Sequence, residues 1–295
     1  KTIKIFIYVI LISLNNYNQV FADNFNNWII SFKDYAMKKG ISKETLDKTM
    51  SNVKFLPNVI KYDRHQPEFY EDTKTYINKR TSDKKLKKGK ELFIENNSLI
   101  LKIESKFDVE KELLLSLMGI ETNFGKYLGK MDILSSLATL SYDKRRSKFF
   151  TNELIIILKL IDSKIVDSNL LYGSWAGAFG NFQFMPSTIK NYALDYNNDS
   201  LIDLKSTEDS FASAANYINK MGWKKNNPCF YKIKLKNNIP PKYLNTSAKK
   251  IKNKKKLKYF KKYITNYNSI KIDENLITGI ITPDREIVEN SKLLE

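Results

Sequence analysis

The stretch LLLSLMGIETNFG, from Leu113 to Gly125, decides how this chain is interpreted. A run of leucines ends in a glutamate, Glu121, in a segment whose apolar residues recur every three or four positions. This spacing predicts a helix with one apolar stripe. We expect Asp108 to be its N-cap and Gly125 to stop it. The predicted stripe consists of Val109, Leu113, Leu117, Ile120 and Phe124.

Glu121 has two interpretations at this stage. It follows Met118 by three residues and Leu114 by seven, which places it at the edge of the buried face in the last helical turn. Desolvation and the negative end of the helix dipole would both raise the pKa of its carboxyl group, as a general acid requires. The alternative is an exposed helix-end group that reaches a lysine such as Lys126. The segment alone favours this alternative, because most glutamates at helix ends lie on the surface.

The composition excludes several kinds of site. The chain has 295 residues, of which 42% are hydrophobic, as in a globular protein. A single cysteine, Cys229, and a single histidine, His65, exclude an intramolecular disulfide and a zinc cluster. They also weaken any nucleophile scheme that needs a histidine base, and we expect His65 to be a surface or packing residue.

The first 22 residues predict a signal peptide. Lys1 and Lys4 precede a mostly apolar run over residues 5–14, and Ala22 ends a Val-Phe-Ala cleavage pattern. The run is too short to cross a membrane, and no cysteine follows it for a lipid anchor. We therefore expect a periplasmic protein with no transmembrane segment after cleavage.

The net charge of +18 has two explanations. It suggests a polyanionic partner or surface, or it reflects a composition that favours lysine. The lysines are scattered except at Lys249–Lys262. A nucleic-acid partner is disfavoured, because the chain has an export signal and no recognition motif.

The pattern of apolar residues predicts a mainly α (α+β) protein. Residues 23–80 have helical spacing, with a stop at Gly40, a start at Ser42 and another start near Pro67. Residues 81–223 form a predicted helical core with short loops. Residues 224–295 form a small β-rich segment, with strand-like runs in CFYKIKLKNNIPPKYL and ENLITGIITPDREI.

The segment YGSWAGAFGNFQFMPS, residues 172–187, is rich in glycine. Gly173, Gly177 and Gly180 are three of only 10 glycines in the chain, which predicts a tight turn or close contact with a ligand. Its polar and aromatic side chains suit a sugar, although a packed Ω-loop would use the same residues. No strand precedes it and no GK[ST] follows, so a nucleotide loop is disfavoured. Pro186 should begin the next helix.

An acidic loop follows at DYNNDSLIDLKSTEDSF, residues 195–211. Three polar residues occupy positions 1, 3 and 5 of a calcium-loop pattern, and the carbonyl of Leu201 occupies position 7. Position 6 is Ser200 instead of glycine, and position 12 is Ser206 instead of glutamate. Ser206 and Asp209 instead look like a capping box for the helix that ends at Met221. Calcium binding and a plain turn are equally compatible with this spacing.

Six blocks in order give the chain its resemblance to a known family. They are YDRHQPEF, GIETNFG, LATLSYDKRRSKFF, GSWAGAFGNFQFMPS, DYNNDSLIDL and SAANYINKMGW. With these blocks the chain resembles the membrane-bound lytic murein transglycosylase B family, from about Trp28 to Trp223. The resemblance implies a lysozyme-like helical core, with an N-terminal helical region and a small C-terminal β-rich segment.

The resemblance also implies roles for particular residues. Glu121 would be the catalytic acid. The substrate groove would be lined by Ser174, Gln183, Phe184, Tyr217, Arg145 and Arg146. A structural calcium ion would be held by Asp195, Asn197, Asp199, Leu201 and Asp209, with Asp209 as a ligand and not a cap. The chemistry itself would need no cofactor.

The implied reaction cleaves the β-1,4 bond between N-acetylmuramic acid and N-acetylglucosamine in peptidoglycan and leaves 1,6-anhydro ends. Glycosidases usually need two carboxylates. No second one is evident beside Glu121, which agrees with a non-hydrolytic enzyme. The expected partners are peptidoglycan glycan strands and other cell-wall enzymes. The family usually ends in a helix after a Tyr-Asn block, and the sequence after Tyr267 does not match it. Two alternatives therefore stay open: a catalytically weak peptidoglycan-binding or scaffold protein, and a hydrolytic muramidase.

Overall fold

The computed structural model describes residues 24–65, 73–226, 230–246 and 251–282. The predicted signal peptide, the proposed helix start at Pro67 and Cys229 lie outside these ranges. Helices dominate the described residues, which confirms the mainly α prediction. Within these ranges, no helix combines the length and the apolar character that crossing a bilayer needs.

The N-terminal helices are short and end where the sequence predicts. Among the described residues, helix α1 covers residues 24–38, and Gly40 follows with φ +86°, a conformation that glycine adopts without strain. Ser42 caps the next helix, because its side chain accepts a hydrogen bond from the amide of Thr45. The further helices are α2 (Lys43–Met50), α3 (Pro57–Arg64) and α4 (Thr73–Arg80). His65 is exposed at the end of α3, as expected.

The central helices enclose the main hydrophobic core. They are α5 (Asp83–Glu95), α6 (Asn97–Phe107), α7 (Lys111–Thr122), α8 (Ile133–Tyr142), α9 (Ser147–Asp162), α10 (Pro186–Tyr192) and α11 (Thr207–Lys220). Helices α8 and α9 pack closely, and α11 packs against α6 and α10. Pro186 begins α10 as predicted, and Gly222 with φ +93° follows α11. Strands β1 (Met131–Asp132) and β2 (Tyr172–Gly173) pair antiparallel beside α8.

Helix α7 differs from the prediction at both ends. It starts at Lys111, and Asp108 instead ends α6 in the left-handed conformation, with φ 55°. Asn123, with φ 52°, ends α7 before Gly125 is reached. These corrections have one cause: short polar residues tolerate the left-handed conformation, so either end can be set without glycine.

The buried face of α7 also differs from the predicted stripe. It consists of Leu114, Met118, Gly119 and Thr122, while Ile120 is exposed. Val109 is buried but precedes the helix, and Phe124 follows it in the left-handed conformation, with φ 60°. The predicted stripe included Val109 and Phe124, which lie outside the helix and therefore do not follow its period. Glu121 still lies at the edge of the true buried face.

The C-terminal residues form short strand pairs around a small core. Strands β3 (Leu244–Asn245) and β6 (Ile280–Ile281) are parallel. Strands β4 (Lys255–Lys256) and β5 (Ile277–Thr278) are antiparallel, and α12 (Leu257–Phe260) follows β4. The strand predicted in CFYKIKLKNNIPPKYL is reduced, among its described residues before Leu244, to one bridge between Leu235 and Ile264. Asn237 and Asn238 follow Leu235 after one residue, Pro240 and Pro241 come soon after them, and Pro cannot donate to a ladder.

Contacts divide the described chain into two compact units. The first unit contains residues 24–65 and 84–223, and the second contains residues 73–83 and 224–282. The predicted division of the chain at residues 80 and 223 stays a prediction. Every candidate site residue lies in the first unit.

Candidate active site

Glu121 is accessible but partly desolvated. It lies in the last turn of α7 and is an exposed residue, so a ligand can reach it. Desolvation by the surrounding protein nevertheless raises the pKa of its carboxyl group. Among the described residues no charged group contributes to this shift, and no ion pair with Lys126 forms. The ammonium group of Lys126 instead lies over the ring of Tyr127, at 5.5 Å. Glu121 is thus an exposed helix-end group, but it does not form the ion pair with Lys126 that the alternative interpretation offered.

The residue after Glu121 joins α7 to the glycine-rich loop. Thr122 is buried, and its Oγ1 donates to the carbonyl of Asn181 at 2.8 Å. The amide of Gly125 donates to the same oxygen at 3.0 Å. The loop carrying Asn181 is consequently fixed directly beside the turn that carries Glu121.

Asn181 extends this connection toward the acidic loop and α11. Its amide nitrogen donates to the carbonyl of Lys205 at 3.1 Å and to the hydroxyl of Ser210 at 3.0 Å. Its main-chain amide donates to the carbonyl of Leu204 at 2.8 Å. Three separate sequence blocks thus meet through one buried asparagine.

The glycines of the loop are needed for close approach. A Cβ on Gly177 would lie 2.4 Å from Cδ2 of Leu137, and one on Gly180 would lie 2.4 Å from Cβ of Leu204. Both glycines have positive φ, +92° and +80°. A Cβ on Gly173 would lie 2.2 Å from the carbonyl oxygen of Ala178. The structure therefore confirms the tight backbone that the sequence predicts.

Ser174 and Gln183 have structural partners of their own. The hydroxyl of Ser174 accepts from the amide of Ala178 at 3.0 Å and closes the turn that contains Gly177. Nε2 of Gln183 donates to the carbonyls of Gly180 at 3.0 Å and Leu128 at 3.3 Å. Gln183 also has φ +51°, which is unusual for a residue other than glycine. Their predicted contact with substrate stays a prediction.

Three aromatic rings meet at Tyr217, which lies on α11. The buried ring of Phe184 meets Tyr217 edge-on, with centroids 5.7 Å apart, and Tyr192 meets Tyr217 at 5.0 Å. Tyr217 and Tyr192 are only partly buried. This cluster offers apolar ring surface and tyrosine hydroxyls, as a sugar site needs.

The double arginine is bound within the protein. Asp63 is buried, and its carboxylate pairs with Nε of Arg145 at 2.8 Å and with Nη2 of Arg146. Arg64 pairs with Asp143 at 2.9 Å. Two of the resemblance blocks, YDRHQPEF and LATLSYDKRRSKFF, are thereby held together by three ion pairs. A substrate-binding role for Arg145 and Arg146 stays a prediction.

The acidic loop is folded around its own carboxylates. The carboxylate of Asp195 accepts from the amides of Asp199 at 3.1 Å and Ser200 at 2.8 Å, and that of Asp199 accepts from the amide of Leu201 at 2.9 Å. Oδ1 of Asn197 accepts from the amide of Asp199 at 3.1 Å. Ser200 has φ +77°, the backbone conformation for which calcium loops use glycine.

Asp209 closes this loop from α11. Its side chain is fully buried and accepts from the amides of Tyr196 at 2.7 Å and Asp203 at 2.9 Å. Burial raises the pKa of this carboxyl group, although those amides oppose the shift. Ser206 alone caps α11, through the amide of Asp209. Across the described ranges, no three His, Cys, Asp or Glu side chains stand together as a metal site would need.

Sequence reasoning missed two residues beside Glu121. Thr122 lies in the block GIETNFG, and the resemblance implies no role for it. A polar residue on an apolar helix face is nevertheless a signal, because a buried polar group needs a hydrogen-bond partner. Lys85 donates through Nζ to the carbonyl of Gly119 in the last turn of α7, at 3.1 Å. Nothing in the sequence around Lys85 marks it, because its partner is a main-chain atom 34 residues away.

Comparisons with known proteins place this arrangement in a family. The model of the transglycosylase SLT domain matches residues 24–286. The membrane-bound lytic murein transglycosylase B of Escherichia coli is 41% identical over 120 residues, which are 40% of this chain and 33% of that protein.

Solved structures show the same fold. SltB3 from Pseudomonas aeruginosa in complex with NAG-NAM-pentapeptide is 30% identical, with a TM-score of 0.70, over 74% of this chain and 58% of that one. The Escherichia coli lytic transglycosylase SLT35 in complex with calcium is 31% identical, with a TM-score of 0.61, over 68% of this chain and 64% of that one. These likenesses confirm the predicted lysozyme-like, mainly α core.

The chain thus spans a third of the curated relative and somewhat over half of the SltB3 chain. The family model, by contrast, matches nearly the whole sequence and includes Glu121, the glycine-rich loop and the acidic loop. On this match, the chain belongs to the transglycosylase SLT domain family.

Proposed function

We propose that the protein is a lytic transglycosylase that cleaves the β-1,4 bond between N-acetylmuramic acid and N-acetylglucosamine in peptidoglycan. The observation that carries this proposal is Glu121, an accessible carboxyl group whose pKa is raised by desolvation. Its family membership and the peptidoglycan fragment bound by SltB3 support the substrate class.

In the first step, Glu121 acts as a general acid. Desolvation raises the pKa of this carboxyl group and so favours its protonated form, which can donate its proton to the glycosidic oxygen. The C1–O bond then breaks as positive charge develops on the muramic ring. The polar atoms and rings of Ser174, Gln183, Phe184 and Tyr217 would hold the sugars on either side of this bond.

In the second step, the same carboxylate acts as a base. It takes the proton of the C6 hydroxyl of the muramic sugar while that oxygen bonds to C1, which closes a 1,6-anhydro ring. Glu121 is protonated again, and no water is consumed. One carboxyl group suffices for both steps, and desolvation is the cause of its raised pKa among the described residues.

The test is digestion of purified peptidoglycan by the wild type and two variants. Glu121→Gln should lose activity while keeping its fold. Glu112→Gln is the matched control, because Glu112 lies on the same helix, is exposed and pairs only with Lys111 among the described residues. The wild type should release products one water lighter than hydrolytic ones. Hydrated reducing ends would show a muramidase, and binding to sacculi without release would show a binding protein.

We also propose that the acidic loop binds a structural calcium ion. The donors of Asp195, Asn197 and Asp199, the carbonyl of Leu201 and the carboxylate of Asp209 are oxygens, which calcium prefers. The left-handed conformation at Ser200 fits such a loop, and SLT35 has been crystallised with calcium. In this chain, the carboxylates of the acidic loop accept hydrogen bonds from main-chain amides of the loop and do not converge on one point. Calcium binding would have to draw them together.

Calcium binding is tested by thermal unfolding with calcium and with a chelator. Calcium should raise the Tm of the wild type and leave that of Asp199→Ala unchanged. Asp167→Asn is the control, because Asp167 caps a short helix outside the loop. A wild-type Tm that does not change with calcium would contradict calcium binding and show that the loop is a plain turn.

The proposed location follows from the proposed substrate. Peptidoglycan lies outside the cytoplasm, and the N-terminal 22 residues have the pattern of a signal peptide, so we place the protein in the periplasm. Glycan strands are its proposed partner, and other cell-wall enzymes are possible neighbours at that location. Fractionation of cells that produce the protein tests the location directly.

A further inference from the structure

The positive charge of the chain is concentrated in its C-terminal part. Residues 224–282 contain 16 lysines and two acidic residues, which gives +14 of the net +18. Among the described residues, none of the ion pairs found in the protein includes Lys254, Lys255, Lys256 or Lys258. The catalytic proposal makes no use of this charge.

Four of these lysines lie in or next to β4, and two exposed apolar side chains lie in or next to its partner strand β5. Strand β4 pairs with β5 so that Lys256 lies opposite Ile277 and Lys255 opposite Thr278. The amide of Leu257 donates to the carbonyl of Leu276 at 2.9 Å, which continues the contact into α12. We define the basic apolar patch as Lys254, Lys255, Lys256, Lys258, Leu276 and Ile277.

The patch has the exposure that a docking surface needs. All four lysines are exposed, and Leu276 and Ile277 are 40% and 63% exposed. Beneath them, Leu257 and Phe260 are buried in the small C-terminal core. The strand pair therefore holds the apolar side chains outward on a fixed base instead of letting them join that core.

A tyrosine beside the patch adds to its interfacial character. Tyr259 is 37% exposed, and the ammonium groups of Lys255 and Lys262 lie 5.9 Å and 5.0 Å from the centre of its ring. Tyrosine is common where one end of a side chain meets apolar groups and the other meets water.

We propose that the basic apolar patch docks the protein onto the surface of a bilayer that contains anionic phospholipids. Lysines near such a surface are attracted by its negative potential, and exposed Leu and Ile side chains can enter the boundary between headgroups and acyl chains. A nucleic acid or a soluble polyanion would satisfy the lysines but would leave Leu276 and Ile277 in water. The combination therefore favours a lipid surface.

Vesicle co-sedimentation of the full chain tests this proposal independently of any activity on peptidoglycan. The vesicles contain either phosphatidylcholine alone or phosphatidylcholine with phosphatidylglycerol. We expect binding to the anionic vesicles that weakens as salt is raised, because salt screens exposed charges. Equal binding to both kinds of vesicle would overturn the proposal.

Charge variants locate the surface. Replacing Lys254, Lys255, Lys256 and Lys258 by Gln should reduce the partition coefficient at least tenfold, since each lysine near an anionic surface is worth roughly fivefold. The control replaces four exposed lysines of the first unit, Lys38, Lys48, Lys102 and Lys148, by Gln. Both variants keep the whole chain, so any contribution of the apolar N-terminal stretch is the same in each. Equal losses in the two variants would overturn the proposal.

An apolar variant separates lipid binding from binding to any polyanion. Leu276→Ser with Ile277→Ser keeps the charge, and it should weaken vesicle binding several-fold without changing binding to a DNA duplex. An unchanged vesicle affinity in this variant would contradict insertion and show a general polyanion surface. Circular dichroism of each variant confirms that the fold is retained.

Discussion

The hydroxyl of Thr122 donates to the carbonyl of Asn181 at 2.8 Å and accepts from the amide of Gly125 at 3.0 Å. Through this one buried oxygen, the helix end that carries Glu121 is fixed to the loop proposed to hold the sugar. The proton donor and the sugar-binding loop come from segments about 60 residues apart in sequence, and this contact sets the distance between them.

Thr122→Val should weaken both the fold and the activity. Valine keeps the volume but leaves the carbonyl of Asn181 and the amide of Gly125 without their partner, which costs about 1–3 kcal/mol. Thr122→Ser is the control, because it keeps the hydroxyl. Urea unfolding and peptidoglycan release are the measurements, and equal behaviour of the two variants would mean that the hydroxyl is unimportant.

Glu121→Gln should change stability with pH in a definite direction. A carboxyl group whose pKa is raised by folding contributes stability at low pH, and that contribution is lost as pH rises through the raised value. The variant should therefore be slightly more stable than the wild type above neutral pH and equal to it near pH 4. The difference should stay below about 1 kcal/mol, because the residue is exposed and solvent screens it.

Thermal unfolding across this pH range measures the difference for Glu121. Glu112→Gln should not show the same sign, because Lys111 holds the pKa of Glu112 below its usual value. A wild type that is more stable than Glu121→Gln at alkaline pH would contradict the desolvation of Glu121.

Asp63→Asn should destabilise the protein. Asp63 is buried and pairs with Arg145 and Arg146, so its neutralisation weakens two charge-assisted hydrogen bonds, at a cost of about 1–3 kcal/mol because both arginine side chains are partly exposed to water. Asp143→Asn is the matched control. It removes the pair with the exposed Arg64 and should cost less than about 1 kcal/mol. Chemical denaturation gives the free energy of unfolding of both variants. Equal losses would mean that the burial of Asp63 adds nothing to the cost of its neutralisation.

Gly180→Ala and Gly222→Ala separate steric clash from backbone strain. Both glycines have positive φ, +80° and +93°, but a Cβ meets Leu204 at 2.4 Å in the first case and open space in the second. Gly222→Ala should cost about 1–2 kcal/mol, the strain of the left-handed conformation alone. Gly180→Ala should cost clearly more and reduce activity, since the loop must move. Similar free energies of unfolding for the two variants would mean that the loop moves away from the added Cβ at little cost.

Ser200→Gly should stabilise the acidic loop. Ser200 has φ +77°, which strains an L-residue, and glycine removes that strain for a net gain of about 0.5–1 kcal/mol. Ser187→Gly, in α10, should have the opposite sign, because glycine weakens a helix. Differential scanning calorimetry without calcium measures both.

The sequence by itself determined the helical character of the chain, the helix starts at Ser42 and Pro186, and the tight glycine loop. These features follow from local chemistry: a side-chain cap, a fixed proline φ and the missing Cβ of glycine act within a few residues. The family blocks also predicted Glu121 as the catalytic acid. From spacing alone, however, an exposed helix-end group was the favoured interpretation of Glu121.

The tertiary structure decided the rest. It moved the buried face of α7 to the side that carries Leu114, Met118 and Thr122, because packing against other helices, and not helical period alone, selects the face that leaves water. It gave Asp63 two arginine partners from a distant segment, and it surrounded Glu121 with enough protein to raise its pKa while leaving it accessible. Desolvation and ion pairing depend on atoms that are close in space but far apart in sequence. The local pattern could therefore offer the raised pKa of Glu121 only as one of two interpretations, and it gave no sign of the partners of Asp63.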